Sequence, residues 1–250
     1  MYTMQIRAIR IEESLGKPTP GRQLELYLDD ITSNRFASSA EYGWWLRDVV
    51  INPEVLAALL RILNYGTTKW GRVCFENCRL DTQDVALPSW CNEQKCTSDD
   101  IRRLVTALAT RTLTLEVYSS PNVLEILLEF PQLEINEFWF CQEENVTNVL
   151  ATRLGNMIQR SVSLRTFCLR LPVHDVPTDL MESLRSATHL QELFWMSFRR
   201  SSNPRQTLSE QWCRELLCDR LLRQYHPQSQ LRSLTLLSMQ LEDCHFIPLA

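Results

Sequence analysis

The chain has 250 residues, of which 44% are apolar and 22% charged, and its formal net charge is -4. These values are ordinary for a globular protein and supply enough apolar side chains for a sizeable core. They exclude a basic field over the whole chain of the kind that binds nucleic acid, although a local basic patch stays open. No window reaches the apolar length of a membrane span, and the first residues lack the apolar stretch of a signal peptide. We therefore expect a protein of the cytoplasm or the nucleus, with no membrane partner.

The chain contains 9 cysteines and only 6 glycines. The cysteines are scattered and odd in number. In a reducing compartment they are expected to act as small hydrophobic residues rather than as a disulfide framework. Loops that cradle phosphate groups are commonly built from glycine, whose scarcity therefore counts against a nucleotide-binding enzyme. The composition favours a protein without a cofactor.

The first 50 residues differ in pattern from the rest of the chain, and we expect them to form an N-terminal cap. Apolar residues alternate in residues 4–11 and 22–31, and the turn-like residues 16–21 separate these two segments. This arrangement predicts two strands around a turn. An aromatic cluster follows at residues 42–46. The end of a repeat array must cover an otherwise exposed core, which is the task assigned to residues 1–50.

From about residue 51, helical patterns alternate with short strand patterns. The first helix is marked by Asn52 as its N-cap, by Pro53 at its first position and by apolar residues at helical spacing as far as Leu63. Five more helices are predicted in the same way, beginning near residues 97, 120, 144, 178 and 207.

Six short runs between the helices share apolar residues at the first, fourth and sixth positions, which is the pattern L-x-x-L-x-L. The runs start at residues 70, 110, 135, 164, 190 and 231. Three of the intervals between starts, of 25, 29 and 26 residues, match the length of a leucine-rich repeat. The two longer intervals contain polar insertions, one at residues 88–96 and the other at residues 199–206.

Residues 51–250 therefore resemble the ribonuclease-inhibitor-like branch of the leucine-rich-repeat proteins, in which each repeat carries a full helix. The resemblance covers roughly four-fifths of the chain. It implies an α/β fold, namely a right-handed leucine-rich-repeat solenoid of about six units. Such a solenoid is curved, with a parallel sheet on its concave face and helices on its convex face. The resemblance also implies protein binding as the usual role, and it supplies no catalytic residues.

Side chains alternate across a strand, so each run has a core side and an outward side. If the fourth and sixth positions enter the core, the third, fifth and seventh positions line the concave face. Aromatic residues, methionine and arginine are enriched at interface hot spots. A misalignment of one residue would instead bury the aromatic members. The predicted partner-binding residues on this face are Glu137, Trp139, Cys141, Arg170, Glu192, Phe194 and Met196.

Candidate chemistry is sparse. A zinc ion could be held by the thiolates of Cys74, Cys78, Cys91 and Cys96. The last two lack the tight C-x₂-C spacing, and the first two are explained by the repeat. A nucleophile such as Cys168 would need a histidine to converge on it in space. We therefore expect neither a metal site nor catalytic residues.

The leading hypothesis is a non-enzymatic scaffold that binds a partner protein on its concave face. A close variant is the substrate-recognition part of a ubiquitin-ligase adaptor, which normally has a helical N-terminal motif where this sequence predicts strands. The rival is a (β/α)₈ barrel enzyme, which also alternates helices with parallel strands. The regular strand spacing and the scarcity of Gly, Asp and His at the predicted strand ends count against the barrel. The basic residues 199–205 are expected to form a solvated loop, so nucleic acid is not an expected partner.

The last run, residues 231–241, is followed by too few residues for a covering helix. We expect either an apolar C-terminal edge that self-associates or a chain that is a fragment of a longer array.

Overall fold

The computed structural model describes residues 7–14, 16–32, 42–67, 69–82, 95–142, 146–171, 178–197 and 230–237. The chain divides into two compact units, Met1–Ile135 and Asn136–Ala250. Both units are built from parallel strands that alternate with helices, so the fold is α/β as predicted.

The first unit contains two parallel sheets and four helices in the described ranges. The larger sheet has the strand order β1-β2-β4-β6, and β3 pairs with β5. The elements are β1 (Arg7–Glu12), α1 (Pro20–Thr32), β2 (Tyr42–Arg47), β3 (Val50–Ile51), α2 (Pro53–Leu63), β4 (Trp70–Glu76), β5 (Arg79–Leu80), α3 (Ser98–Arg111), β6 (Thr112–Tyr118) and α4 (Pro121–Leu128).

The second unit contains one parallel sheet whose described strands pair in the order of the sequence. Within each unit the described strands form an open sheet rather than a closed barrel. The elements of the second unit are β7 (Glu137–Cys141), α5 (Asn148–Arg160), β8 (Thr166–Leu171), α6 (Thr178–Ser186), β9 (Glu192–Ser197) and β10 (Ser233–Leu237).

The predicted helix starts are confirmed at α2 and α3. The side chain of Asn52 accepts a hydrogen bond from the backbone N–H of Val55 at 3.0 Å. Thr97 and Asp100 form a capping box, in which each side chain accepts from the other residue's backbone N–H. These bonds satisfy N–H groups that the first helical turn leaves without an intrahelical acceptor.

The core of the first unit is built from side chains that lie in register on neighbouring parallel strands. Val73 on β4 pairs with Trp44 on β2, and Phe75 pairs with Leu46. All four side chains are fully buried. Val73 and Phe75 are the fourth and sixth positions of the run that starts at residue 70. The predicted core side of that strand is therefore confirmed.

The second unit repeats this arrangement. The fourth and sixth positions of the runs starting at residues 135, 164 and 190 pair with one another across β7, β8 and β9. The rings of Phe138 and Phe167 stack at 5.9 Å between centroids. The buried residues at these positions are Phe138, Phe140, Phe167, Leu169, Leu193 and Trp195.

The two-stranded cap predicted for residues 1–50 is wrong in its second strand. Residues 22–31 lie in helix α1, and β1 pairs in parallel with β2. Apolar residues alternate in this segment, but Leu24 is fully buried whereas Leu26 is 43% exposed, as expected for a helix with one buried side. Trp44 of the aromatic cluster occupies a core position in β2. Within residues 1–50, β1 and β2 therefore belong to the larger sheet of the first unit, and α1 is one of its helices.

The register predicted for residues 110–115 is wrong by two residues. Val73 pairs with Leu115, and Phe75 pairs with Val117. Helix α3 continues to Arg111, so the strand begins later than the apolar pattern indicates. Side chains alternate with a period of two, so a slip of two residues leaves every side chain on its predicted side of the sheet.

A left-handed residue follows three strands of the first unit at one equivalent place. Asp48, Asn77 and Ser119 have φ values of 54°, 50° and 46° and come two residues after the buried sixth position. The side chain of Asn77 donates to the carboxylate of Asp48. Positive φ is costly for residues other than glycine, and Asn and Asp tolerate it best. The turn is thus a repeated feature of this sheet edge.

In two of these three turns, the side chain of the residue after the left-handed one satisfies backbone groups. The hydroxyl of Ser120 accepts from the N–H of Cys78 at 2.8 Å and donates to the carbonyl of Tyr118 at 2.9 Å. The thiol of Cys78 donates to the carbonyl of Leu46 at 3.3 Å. Burial raises the pKa of this thiol to about 11, so it stays protonated and can donate.

No helix in the described ranges is long and apolar enough to cross a membrane.

Some predictions fall on residues outside the described ranges. The predictions outside those ranges concern the helix starting near residue 207, the insertions at residues 88–94 and 199–206, Cys91, and the C-terminal edge at residues 238–250.

Substitutions at Ser119 test the repeated turn. Ser119→Gly should raise the free energy of unfolding by about 0.5–1 kcal/mol, because glycine adopts positive φ without steric cost. Ser119→Val should lower it by about 1–2 kcal/mol, because a β-branched residue is strained there. Urea unfolding of the three proteins measures both differences. Equal stabilities for the glycine and valine variants would contradict a left-handed turn at this position.

Candidate functional site

The register of the second unit places the predicted binding residues on the outward side of its sheet. Trp139 on β7 pairs with Cys168 on β8, which in turn pairs with Phe194 on β9. The neighbours of Trp139 along its own strand, Phe138 and Phe140, are buried on the opposite side. The alternative misalignment of one residue, which would bury Trp139 and Phe194 in the core, is therefore wrong.

The centre of this surface is a stacked pair of aromatic rings. The rings of Trp139 and Phe194 have centroids 6.0 Å apart and an interplanar angle of 21°. Their strands are separated by β8, and two strand spacings amount to about 9.6 Å. The rings therefore lean towards each other over Cys168, whose short side chain leaves room for them and is itself 1% exposed. We call Trp139, Phe194 and the half-buried Met196 the aromatic face.

Packing rather than hydrogen bonding holds Trp139 in place. Its indole Nε1 is buried and has no hydrogen-bond partner among the described residues. A buried donor without an acceptor costs about 1–3 kcal/mol, so other contacts must offset that cost. Stacked aromatic pairs contribute about 0.5–1.5 kcal/mol beyond the area that they bury. The stack with Phe194 is therefore one of the contacts that hold Trp139 in place.

Charged residues lie on either side of the aromatic face along the strands. Glu137 and Glu192 occupy the third position of their strands, with Thr166 between them, and the hydroxyl of Thr166 donates to the Glu192 carboxylate at 3.4 Å. Arg170 is exposed at the seventh position of β8. Four residues of strand separate these two positions by about 13 Å. The aromatic face thus lies between an acidic row and an arginine.

The prediction that Cys141 is an exposed member of this surface is wrong. Its side chain is only 6% exposed, although its strand position is on the outward side. Cys141 is short, and its partner in the parallel register is the long side chain of Arg170. Cys141 therefore packs beneath the longer side chains on the outward side and is not part of the contact surface.

On the outward side of the first unit, charged groups on adjacent strands pair with one another. The guanidinium of Arg10 lies 5.5 Å from the ring centroid of Trp45, whose indole N–H donates to Glu76 at 2.7 Å. Arg47 forms an ion pair with Glu76 at 3.3 Å. Sequence reasoning missed this network, since only a correct strand assignment for residues 42–47 brings these groups together.

A second ion pair on this side of the first unit's sheet contains a buried carboxylate. Glu116 is 6% exposed and pairs with Arg72 at 3.3 Å. Burial raises the pKa of Glu116, and the charge of Arg72 opposes that rise. Burial and the nearby Glu116 also raise the pKa of the Cys74 thiol, which therefore stays protonated. A protonated thiol is a poor nucleophile.

The described residues contain no group of three His, Cys, Asp or Glu side chains that could hold a metal ion. Cys78 and Cys96 are buried, and the thiol of Cys96 donates to the carbonyl of Ile51 at 3.4 Å. Burial raises the pKa of Cys96 to about 12. Both thiols therefore act as hydrogen-bond donors to backbone carbonyl groups of the first unit.

No family model, curated protein or solved structure matches this chain.

Glu116→Gln tests the buried carboxylate through pH. The folded state holds the Glu116 proton more tightly than the unfolded state, because burial raises its pKa. The free energy of unfolding of the wild type should therefore fall, relative to that of the Glu116→Gln variant, as the pH rises towards neutrality from the carboxyl pKa of the unfolded state, about 4.5. Glutamine keeps an acceptor for Arg72, whose side chain is 30% exposed and reaches water.

Chemical unfolding at a series of pH values between about 4 and 7 measures this difference. Glu134→Gln, at an exposed position of the same unit, is the control for introducing an amide. A stability difference between wild type and Glu116→Gln that does not change with pH would contradict the raised pKa.

Proposed function

We propose that this protein is a non-enzymatic scaffold of the leucine-rich-repeat type, and that it binds a partner protein through the outward side of the sheet in its second unit. The observation that carries the proposal is the aromatic face, where two stacked rings and a methionine lie partly exposed between charged residues. Aromatic side chains and methionine dominate the fully desolvated centres of interfaces, and a charged rim surrounds them.

The stacked rings are pre-organised for binding in the free protein. Burial of a whole large apolar side chain contributes about 1.5–3 kcal/mol, and less than half of Trp139 and of Phe194 is exposed, so covering the rest of each contributes about 0.5–1 kcal/mol. Two rings that already hold each other in place lose little conformational entropy on association. Trp139, Phe194 and Met196 together are therefore an adequate anchor for a partner.

Three recurrences support the leucine-rich-repeat part of the proposal. Buried apolar residues occupy the fourth and sixth positions, a left-handed residue occupies the eighth, and a thiol or hydroxyl that bonds to backbone occupies the ninth in β4 and β6. A right-handed curved solenoid, with the sheet on the concave face, belongs to this proposal. The scattered cysteines, buried as thiols where they are described, fit the reducing cytoplasm or nucleus.

The other two candidate functions, a ubiquitin-ligase adaptor and a (β/α)₈ barrel enzyme, have no comparable observation in their favour. An adaptor of a ubiquitin ligase needs a helical N-terminal motif for its adaptor partner. Helix α1 buries Leu24 completely and forms an ion pair with α2 through Glu25 and Arg61, so it serves the first unit itself. A barrel enzyme needs a closed sheet with polar groups converging at one end, and the described sheet of each unit is open.

Phe194→Ala combined with Met196→Ala tests the proposed surface. The double variant should lose partner binding by at least tenfold, equivalent to about 1.4 kcal/mol, because it removes two of three apolar anchors. Affinity capture from the native cell, with quantitative mass spectrometry, measures the loss. Far-ultraviolet circular dichroism and thermal unfolding establish that the variant is folded.

Val149→Ala combined with Val162→Ala is the matched control. These valines belong to the same unit and are 59% and 64% exposed, but they lie on α5 and the turn that follows it. The control should capture the same partners as the wild type. The proposed function fails if the Phe194/Met196 variant captures them equally well.

A further inference from the structure

The turn between α6 and β9 holds a histidine at a junction of three chain segments. The imidazole of His189 donates a hydrogen bond to the backbone carbonyl of Ile158, in the last turn of α5. The backbone carbonyl of His189 accepts from the guanidinium of Arg165, just before β8, at 3.1 Å. The carbonyl of the adjacent Thr188 accepts from the backbone N–H of Gln230, before β10, at 2.9 Å. His189 therefore lies where α5, the start of β8 and the segment before β10 meet.

We propose that His189 is a pH-sensitive switch, whose neutral imidazole holds this junction closed and whose protonation in mild acid opens it. The opening concerns residues 187–192, which connect α6 to β9. This inference does not depend on the proposed function, because it uses no residue of the aromatic face.

The surroundings of the imidazole suit the neutral ring and not the charged one. Nε2 of His189 is buried and has no hydrogen-bond partner among the described residues. In a neutral ring that donates to Ile158 through Nδ1, Nε2 is an acceptor without charge. Protonation turns Nε2 into a charged donor, and a buried charged donor without an acceptor costs much more than a buried neutral acceptor.

The cations around the junction act in the same direction. The guanidinium of Arg165, which bonds to the His189 backbone, also disfavours a positive charge on the imidazole. The charged residues nearest in sequence on the other two segments are cations as well, namely Arg160 at the end of α5 and Arg232 before β10. A protonated His189 is therefore repelled by its neighbours.

The acidic residues of the same segment are directed elsewhere. Asp179, in the first turn of α6, accepts from the hydroxyl of Thr152 at 3.1 Å, and Glu182 is exposed on the same helix. Glu192 begins β9, and its carboxylate accepts from the Thr166 hydroxyl on the outward side of the sheet at 3.4 Å. No ion pair joins any of these carboxylates to His189 in the described part of the chain.

The direction of the pH effect follows from these contacts. Burial and the charge of Arg165 lower the pKa of His189 below its ordinary value of 6.5, and the bond to Ile158 opposes them only in part. The opened turn, in which the imidazole is solvated, therefore binds the proton first as the pH falls. The closed junction is fully stable above about pH 6.5 and loses stability as the pH drops below that value.

Opening this turn affects three neighbouring segments because one arginine links them. The guanidinium of Arg165 donates to the carbonyl of His189 and to Oε1 of Gln230, both at 3.1 Å. The carbonyl of Arg165 accepts from the backbone N–H groups of Gln191 at 2.8 Å and Glu192 at 3.0 Å. Displacement of His189 thus loosens bonds to β8 and to the segment before β10, and the N–H groups of Gln191 and Glu192 report it.

Amide hydrogen exchange of the full chain, followed by mass spectrometry at about pH 7.5 and about pH 5.5, tests this switch. After correction for the intrinsic pH dependence of exchange, residues 187–192 should exchange about three- to tenfold faster at the lower pH, since the opened turn gains at most about one pH unit of proton binding there. His189→Gln keeps an N–H donor for the Ile158 carbonyl but has no charged form, so it should abolish this increase. His174→Gln, which removes another histidine of the chain, should leave the increase unchanged.

Two results overturn the switch. One is an equal acid-induced increase in wild type and His189→Gln, or no increase in wild type. The other comes from nuclear magnetic resonance of the histidine ring protons in the wild-type chain, which does not depend on the folding of any variant. A titration midpoint of His189 at or above 6.5 shows that the folded protein does not resist protonation of this ring.

Discussion

Parallel register between neighbouring strands is the constraint on which both units depend. Each strand offers its fourth and sixth side chains to one side of the sheet, and parallel pairing places these beside the same positions of the next strand. In the first unit this pairs Val73 with Trp44 and Phe75 with Leu46, all fully buried. The period of two that creates the core also fixes what faces outward.

The outward side then diverges between the units. In the first unit, arginine and glutamate residues on adjacent strands pair, and Trp45 joins them through a hydrogen bond and a cation–π contact. In the second unit, a small residue, Cys168, lies between two large aromatic ones, and the rings close over it. The same strand arrangement therefore presents ion pairs on the outward side of the first unit and stacked aromatic rings on the outward side of the second.

The sequence predicted the parts that depend on local periodicity. The L-x-x-L-x-L spacing located β4, β7, β8, β9 and β10 in the correct register, and Asn52 and Thr97 located helix starts. It failed in residues 22–31, where apolar residues alternate within a helix because the buried side is set by packing on α2. It failed by two residues in β6, because Thr110 and Arg111 complete α3 before the strand begins.

The candidate site was predictable in position but not in shape. Alternation along β7 and β9 placed Trp139 and Phe194 outward, whereas their stacking depends on Cys168 in the strand between them. The burial of Cys141 depends on the relative lengths of side chains in adjacent strands, which no pattern within one strand contains. The ion pairs of the first unit join residues such as Arg72 and Glu116 that are far apart in sequence.

The central claim is that the aromatic face is the contact surface of this protein. Hydroxyl-radical footprinting of the full chain, alone and with its captured partner, tests it directly, because oxidation reports the accessibility of individual side chains. We predict that oxidation of Trp139, Phe194 and Met196 decreases in the complex, whereas oxidation of Val149 and Val162 does not change. Protection of the two valines with unchanged oxidation of the aromatic face would contradict the account.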